Sequence, residues 1–176
     1  LTDEQRLSVI LRFGGGAYSV HGEGDGIGHV HCTFSATMRA FDGDLSDLMR
    51  NGALLSITRG SWTGGMFTGT VELMTPEVDQ FFSDFFGQSE QLETVFLSWT
   101  DHEPVRGCMI QPLPFARKDT VPRVLTQLRH IAPRLQAAEW EEVESIFAPF
   151  ARVVERCAVH THCRCSKEML SGMLAA

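Results

Sequence analysis

The residues of this chain best placed to do chemistry are Cys163 and Cys165, one residue apart in the run Cys157-Ala158-Val159-His160-Thr161-His162-Cys163-Arg164-Cys165. Core packing gives no reason for two thiols at that spacing. As thiolates they can bind one metal ion together, and under an oxidant they can exchange those bonds for disulfides. Cys157, His160 and His162 lie near enough in sequence to act as extra ligands. Crowded neighbours strain tetrahedral geometry, so Cys163 and Cys165 are the leading pair. The remaining cysteines, Cys32 and Cys108, fall in expected strands, where buried and inert thiols are the simpler reading.

Other chemistries find less support. Seven histidines, His21, His29, His31 and His102 among them, could supply a base. None stands in a nucleophile elbow, a His-Glu-x-x-His helix or a paired-carboxylate motif, so the chain reads as a non-enzyme. His29 and His31 share one face of a strand, which suits either a metal pair or ordinary packing. Glycines cluster at Gly14-Gly15-Gly16 and at Gly22, Gly24 and Gly26. No capped helix follows them and no Lys-Ser/Thr closes a phosphate loop, so they read as turns.

Composition narrows the class further. The 176 residues are 43% hydrophobic with a formal net charge of −7, enough apolar material for one ordinary core. The absence of a long basic run argues against nucleic acid, and the absence of an apolar run of roughly 20 residues argues against a membrane span. Five cysteines, three crowded into nine residues, suit a reducing compartment. No signal peptide is visible, but the chain begins at Leu1 rather than Met, so a segment upstream is expected.

The elements that must position these groups are β-rich at first. Val9–Phe13 and Ala17–His21 flank the three glycines as a hairpin, and His29–Thr37 alternates as a strand. Leu54–Thr58 and Met66–Leu73 form a second expected hairpin, turning at Gly60, Gly64 and Gly65. The period then becomes helical. Thr75 is the expected N-cap and Pro76 the first helical residue, Val78, Phe81, Phe82, Phe85 and Phe86 follow at helical spacing, and Gly87 is the expected stop. The Phe-rich face reads as core. Val95–Trp99 and Gly107–Gln111 read as strands. Helices are expected over Val121–Ile131 and Glu139–Val154, with Pro133 and Pro149 breaking or bending them. Trp140, Val143, Ile146, Phe147 and Phe150 form one apolar stripe opposite Glu141, Glu142 and Glu144.

Several of these segments carry a family pattern. Phe85-Phe86-Gly87-Gln88-Ser89-Glu90-Gln91-Leu92-Glu93-Thr94 resembles the signature Tyr/Phe-Phe-x-x-Ser-Glu-Gln-Leu-Pro-Thr of the heat-shock protein 33 family of redox-regulated chaperones. Leu11-Arg12-Phe13, Gly24-Asp25-Gly26, Arg50-Asn51-Gly52, Phe67-Thr68-Gly69 and Gly107-Cys108-Met109-Ile110-Gln111-Pro112-Leu113-Pro114 follow in the family's order. Cys163-Arg164-Cys165-Ser166-Lys167-Glu168 is similar to its Cys-x-Cys-Ser-Arg/Lys-Glu. The likeness covers nearly the whole chain. Three departures stand out. Glu93 replaces Pro, the family's segment before the first hairpin is largely absent, and no Cys-x-x-Cys follows the Cys-x-Cys before Ala176. The chain therefore looks truncated at both ends.

The resemblance implies a holdase chaperone that works without ATP. Zn²⁺ held by Cys163 and Cys165 with a second cysteine pair, or with Cys157, His160 and His162 in its place, would be expelled on oxidation to disulfides. The unfolded lid would then bare apolar surface, the stripe Trp140, Val143, Ile146, Phe147 and Phe150 included, to unfolded client proteins. The expected fold is α+β, with a β-rich core domain over 1–116, a helical linker over 117–156 and the start of a redox segment over 157–176. A chain lacking half of the switch could also be a holdase locked in its active form. The rival class is a metal-binding regulatory module with a specific protein partner. A homodimer, formed by exchange of the helical part, is expected from exposed strand edges. The expected compartment is cytoplasmic, or the mitochondrial or plastid matrix in a eukaryote.

Overall fold

The computed structural model describes residues 5–61, 63–100 and 105–162. Cys163, Cys165 and His102 lie outside the described residues. The described chain divides into two compact units: one holds the residues up to Thr70 together with 157–162, the other Val71–Arg156. Helices and strands alternate without a regular βαβ repeat, and the fold is α+β.

The first unit is built on a sheet in the order β5-β4-β1-β2-β3-β8. Its strands are β1 (Gln5–Phe13), β2 (Tyr18–Asp25), β3 (His29–Phe34), β4 (Ala53–Ser61), β5 (Gly65–Glu72) and β8 (His160–Thr161). The first hairpin forms where the glycines predict it: Phe13 pairs with Tyr18, and Gly14, Gly15 and Gly16 all take positive φ in a 3-10 turn between the strands. The second glycine group behaves differently. Gly22 and Gly24 lie inside β2, and the chain turns only at Gly26, Ile27 and Gly28. Both glycines are paired on each side, Gly22 with Val9 and Cys32 and Gly24 with Leu7 and Val30, and those ladders override the glycines' turn preference. A hydroxyl ladder joins β4 to β5, with Ser56 2.9 Å from Thr70 and Thr58 2.7 Å from Thr68. Phe13, Ala53, Leu55 and Ile57 are buried. Two short helices connect β3 to β4, α1 (Ala36–Arg39) and α2 (Leu45–Met49). Ser35 Oγ caps the first by accepting from the Met38 amide, and Asp47 reaches back to the Asp44 amide in the second.

The second unit holds α3 (Val78–Ser89), β6 (Val95–Trp99), β7 (Arg106–Ile110), α4 (Thr120–Ala137) and α5 (Trp140–Phe147). The N-cap of α3 is Glu77 rather than Thr75, because the Glu77 carbonyl is the first to accept helical bonds, from Gln80 and Phe81. The helix also runs through Gly87. It stops at Gln91, whose left-handed φ of 55° lets the Glu90 and Leu92 amides both reach the Phe86 carbonyl. Phe81 and Phe85 are buried, and Phe82 and Phe86 lie 5.2 and 5.7 Å from the Phe96 ring on β6.

Pro133 sits inside α4 without ending it. The one backbone bond it removes is outweighed by the buried face of Leu128, Ile131 and Leu135, worth roughly 1.5–3 kcal/mol per side chain. Pro149 acts as expected. It has no N–H to give the Ser145 carbonyl, so the α-helical ladder stops and α5 ends at Phe147, short of Val154. Among the described residues, no helix is long and apolar enough to cross a membrane.

Candidate functional site

The described residues nearest in sequence to the Cys-x-Cys are 157–162, and residues 160–162 lie along the edge of the six-stranded sheet. β8 runs parallel to β3, with His160 opposite His29 and Thr161 opposite Val30. The His160 amide donates to the Gly28 carbonyl at 2.9 Å and the His162 amide to the Val30 carbonyl at 2.8 Å. The His162 ring stacks on His29 with 4.4 Å between centroids.

Local chemistry makes β3 ready for this. Asp25 ends β2 with its carboxylate almost fully buried. Its Oδ1 accepts from the Ile27 and His29 amides at 3.2 and 2.9 Å, an Asp-Gly turn that aims the chain into β3. Its Oδ2 lies 3.4 Å from the Arg6 guanidinium and 3.2 Å from His29 Nδ1. A buried carboxylate needs such partners, since leaving it unpaired is strongly unfavourable. Asp25 thus positions the ring on which His162 stacks. Gly28 completes the arrangement. Its φ is +88°, and a Cβ there would fall 2.1 Å from the Ala158 carbonyl oxygen and 3.2 Å from Cys157 Sγ.

A hollow of about 210 Å³ opens beside this edge, lined among others by Arg6, Ser8, Glu23, His29, His31 and His162. Ser8 Oγ is 2.9 Å from His21 Nε2, and Glu23 approaches the same nitrogen at 3.5 Å. The acid therefore does not orient the opposite ring nitrogen, as a hydrolytic triad requires.

The expected site residues are distributed as follows. Cys163 and Cys165 fall outside the described residues. Cys157, His160 and His162 are all exposed along the extended edge segment. Among the described residues, no group of three or more His, Cys, Asp or Glu is arranged to hold a metal ion. Of the stripe on α5, Trp140 is 70% exposed, while Ile146 is 5% exposed in a cluster with Leu128, Ile131, Leu135 and Ala138. Val143, Phe147 and Phe150 pack against that cluster. Cys108 on β7 is half-buried, and burial raises its thiol above the ordinary cysteine value, as an inert thiol requires. Cys32 differs from expectation. It is exposed, because it shares the open face of β3 with Val30 and Phe34. In the sequence Asp25 stands only within the family's Gly24-Asp25-Gly26, with no role assigned, and Gly28 is not singled out. The Asp-Gly signal marks the turn, but nothing local tells that residue 158 passes over it.

The class defined by the fold is an α+β domain whose sheet edge carries the approach to a cysteine pair. The sequence model of one family, described as Hsp33 protein, matches residues 1–176. Relatives named 33 kDa chaperonin include one from Limosilactobacillus fermentum, 29% identical over 163 residues, which covers 84% of this chain and 54% of the relative. Another, from Ectopseudomonas mendocina, is 26% identical and covers 81% and 52%. The crystal structure of the 33 kDa chaperonin from Thermotoga maritima superposes with a TM-score of 0.74 at 17% identity, over 99% of this chain and 65% of that one. The chain belongs to the Hsp33 family, and it spans about half the length of the curated relatives it matches.

Proposed function

We propose that this chain acts as a redox-regulated, ATP-independent holdase that binds unfolded proteins under oxidative stress. The observation that carries the reading is the family match along the whole chain, Cys163 and Cys165 included. Those two thiolates are the proposed redox pair and the first two zinc ligands. Zinc, when bound, would keep the thiols deprotonated and lend the surrounding segment on the order of 10 kcal/mol of folding energy. Cys157, His160 and His162 do not gather into a site by themselves, so they serve at most as auxiliaries to Cys163 and Cys165.

Hydrogen peroxide takes two electrons from a pair of thiolates and, with two protons, leaves as two waters while a disulfide forms. That removes the anchoring of the segment that continues from β8. The stripe on α5 is the proposed client surface, with Trp140 already exposed and Val143, Phe147 and Phe150 packed on Ile146 until the helices loosen. A homodimer and a reducing compartment such as the cytoplasm belong to the same reading.

Light scattering of a thermally unfolding client tests it. The chain is added reduced with zinc in one arm and treated with peroxide in the other. Suppression only after oxidation supports the switch, and equal suppression in both arms indicates a holdase locked on. No suppression in either arm sinks the holdase reading in favour of a regulatory module with one specific partner.

A further inference from the structure

We propose that the outer edge of β3 is a docking site for an extended segment of an unfolded polypeptide, and that residues 160–162 of this chain occupy part of it as a displaceable plug. The proposal rests on the holdase reading and locates a client site within it. Three observations support it. First, the edge already accepts a chain in parallel orientation through main-chain bonds, from His160 to Gly28 and from His162 to Val30, with the stacking of His162 on His29 as the side-chain contact beside them. Such bonds are indifferent to side-chain identity, as recognition of many clients demands. Second, among the described residues β8 covers only His29 and Val30 of the six residues of β3. The pleat turns every second residue's backbone groups the same way, so those of Cys32 and Phe34 face the same edge as Val30. Third, the side chains along this stretch form an apolar row open to solvent, with Val30 39% and Phe34 46% exposed and Cys32 between them. A client strand laid along the edge would gain both backbone bonds and apolar contact.

A two-residue strand is a weak plug, because isolated pairings of that length are marginal. The crowding of Ala158 over Gly28 leaves no room for a side chain, which makes Gly28 the point at which to unseat it.

The test uses the full chain and fluorescein-labelled, reduced and carboxymethylated lysozyme as a permanently unfolded probe. Fluorescence anisotropy gives Kd, and hydrogen exchange with and without the probe locates the contact. The expected results are new protection at the Cys32 and Phe34 amides, and tighter binding by Gly28→Ala, about threefold. Cys32→Pro and Phe34→Pro each remove one outward N–H and should weaken binding about tenfold, or ~1.4 kcal/mol. Circular dichroism checks that each variant folds; if the proline variants do not, the exchange data on the natural chain decide alone. Probe binding that protects α5 and leaves β3 unprotected overturns the edge site while the holdase reading stands. Failure of the natural chain to bind the probe, reduced or oxidised, overturns both.

Discussion

Two strand edges in this molecule face the same problem and solve it differently. The outer edge of β6 is closed by side chains of α3: the Phe96 amide donates to Ser83 Oγ at 3.3 Å and the Ser98 amide to Asp79 Oδ2 at 2.9 Å. Those acceptors stand on a 12-residue helix held by buried Phe81 and Phe85 and by the tilted rings of Phe82 and Phe86 against Phe96. The outer edge of β3 is covered, among the described residues, only at its start, by backbone bonds from His160 and His162, neither of which has a buried side chain. The first closure is part of a core and opens only when that core does. The second is held by the chain that leads into the cysteine pair, and can be released with the rest of the sheet intact.

Breaking the β6 closure should have the largest effect. Phe85→Ala removes a ring that is 2% exposed, and the expected loss is about 3–5 kcal/mol, read by denaturant unfolding. A loss below 1 kcal/mol would mean that α3 does not depend on its core face. Next in size is Asp25→Ala, which strips the buried partner from Arg6 and His29 and two turn amides from their acceptor. Roughly 2–4 kcal/mol is expected, less than for a sealed pair because Arg6 and His29 are partly exposed. The loosened β3 edge should appear as faster exchange at the His160 and His162 amides.

Smaller changes sharpen the contrast. Ser83→Ala should cost about 1 kcal/mol, since it leaves the Phe96 amide without its acceptor. Gly28→Ala should cost about 1 kcal/mol, from positive φ and the clash with Ala158, yet it should abolish protection at His160 and His162 while leaving Phe96 and Ser98 protected. Equal loss of protection at both edges would remove the distinction between them.

The smallest effect is chemical. Only the thiolate reacts with iodoacetamide, and burial holds the Cys108 thiol above the ordinary value, so a smaller fraction is ionised at any given pH. Cys32 and Cys157, both exposed, should therefore label first at pH 8. The Cys108 rate should climb only as the pH is raised further. Mass spectrometry of the labelled peptides checks the order, and fast labelling of Cys108 would show that its strand opens readily.

Much of this was legible locally. Alternation placed β1, β4, β5 and β6 within a few residues, and the Phe spacing of α3 named the face that is buried. Boundaries failed where a longer-range term intervened. Gly87 stays helical because Phe85 and Phe86 hold the turn around it, and Pro133 is tolerated because Leu128, Ile131 and Leu135 fasten both sides. Of the expected stripe, Ile146 is buried with Val143, Phe147 and Phe150 packed beside its cluster, whereas Trp140 is exposed and Phe150 lies beyond the end of α5.

By itself the sequence determined most strands and the three longer helices, the first glycine turn, the Cys163-Arg164-Cys165 pair and, through its motifs, the family, but it carried the strand at His29 on to Thr37, where α1 (Ala36–Arg39) stands. Each depends on residues close together in the chain, where side-chain period, turn chemistry and spacing act directly. The tertiary structure alone decided that residues 160–162 lie parallel along β3, that His162 stacks on His29, that Cys32 is open while Cys108 is not, and that Gly28 yields its side-chain space to Ala158. All of these but the cysteine exposures bring together residues about 130 positions apart, and no local periodicity encodes which backbone will occupy a free edge.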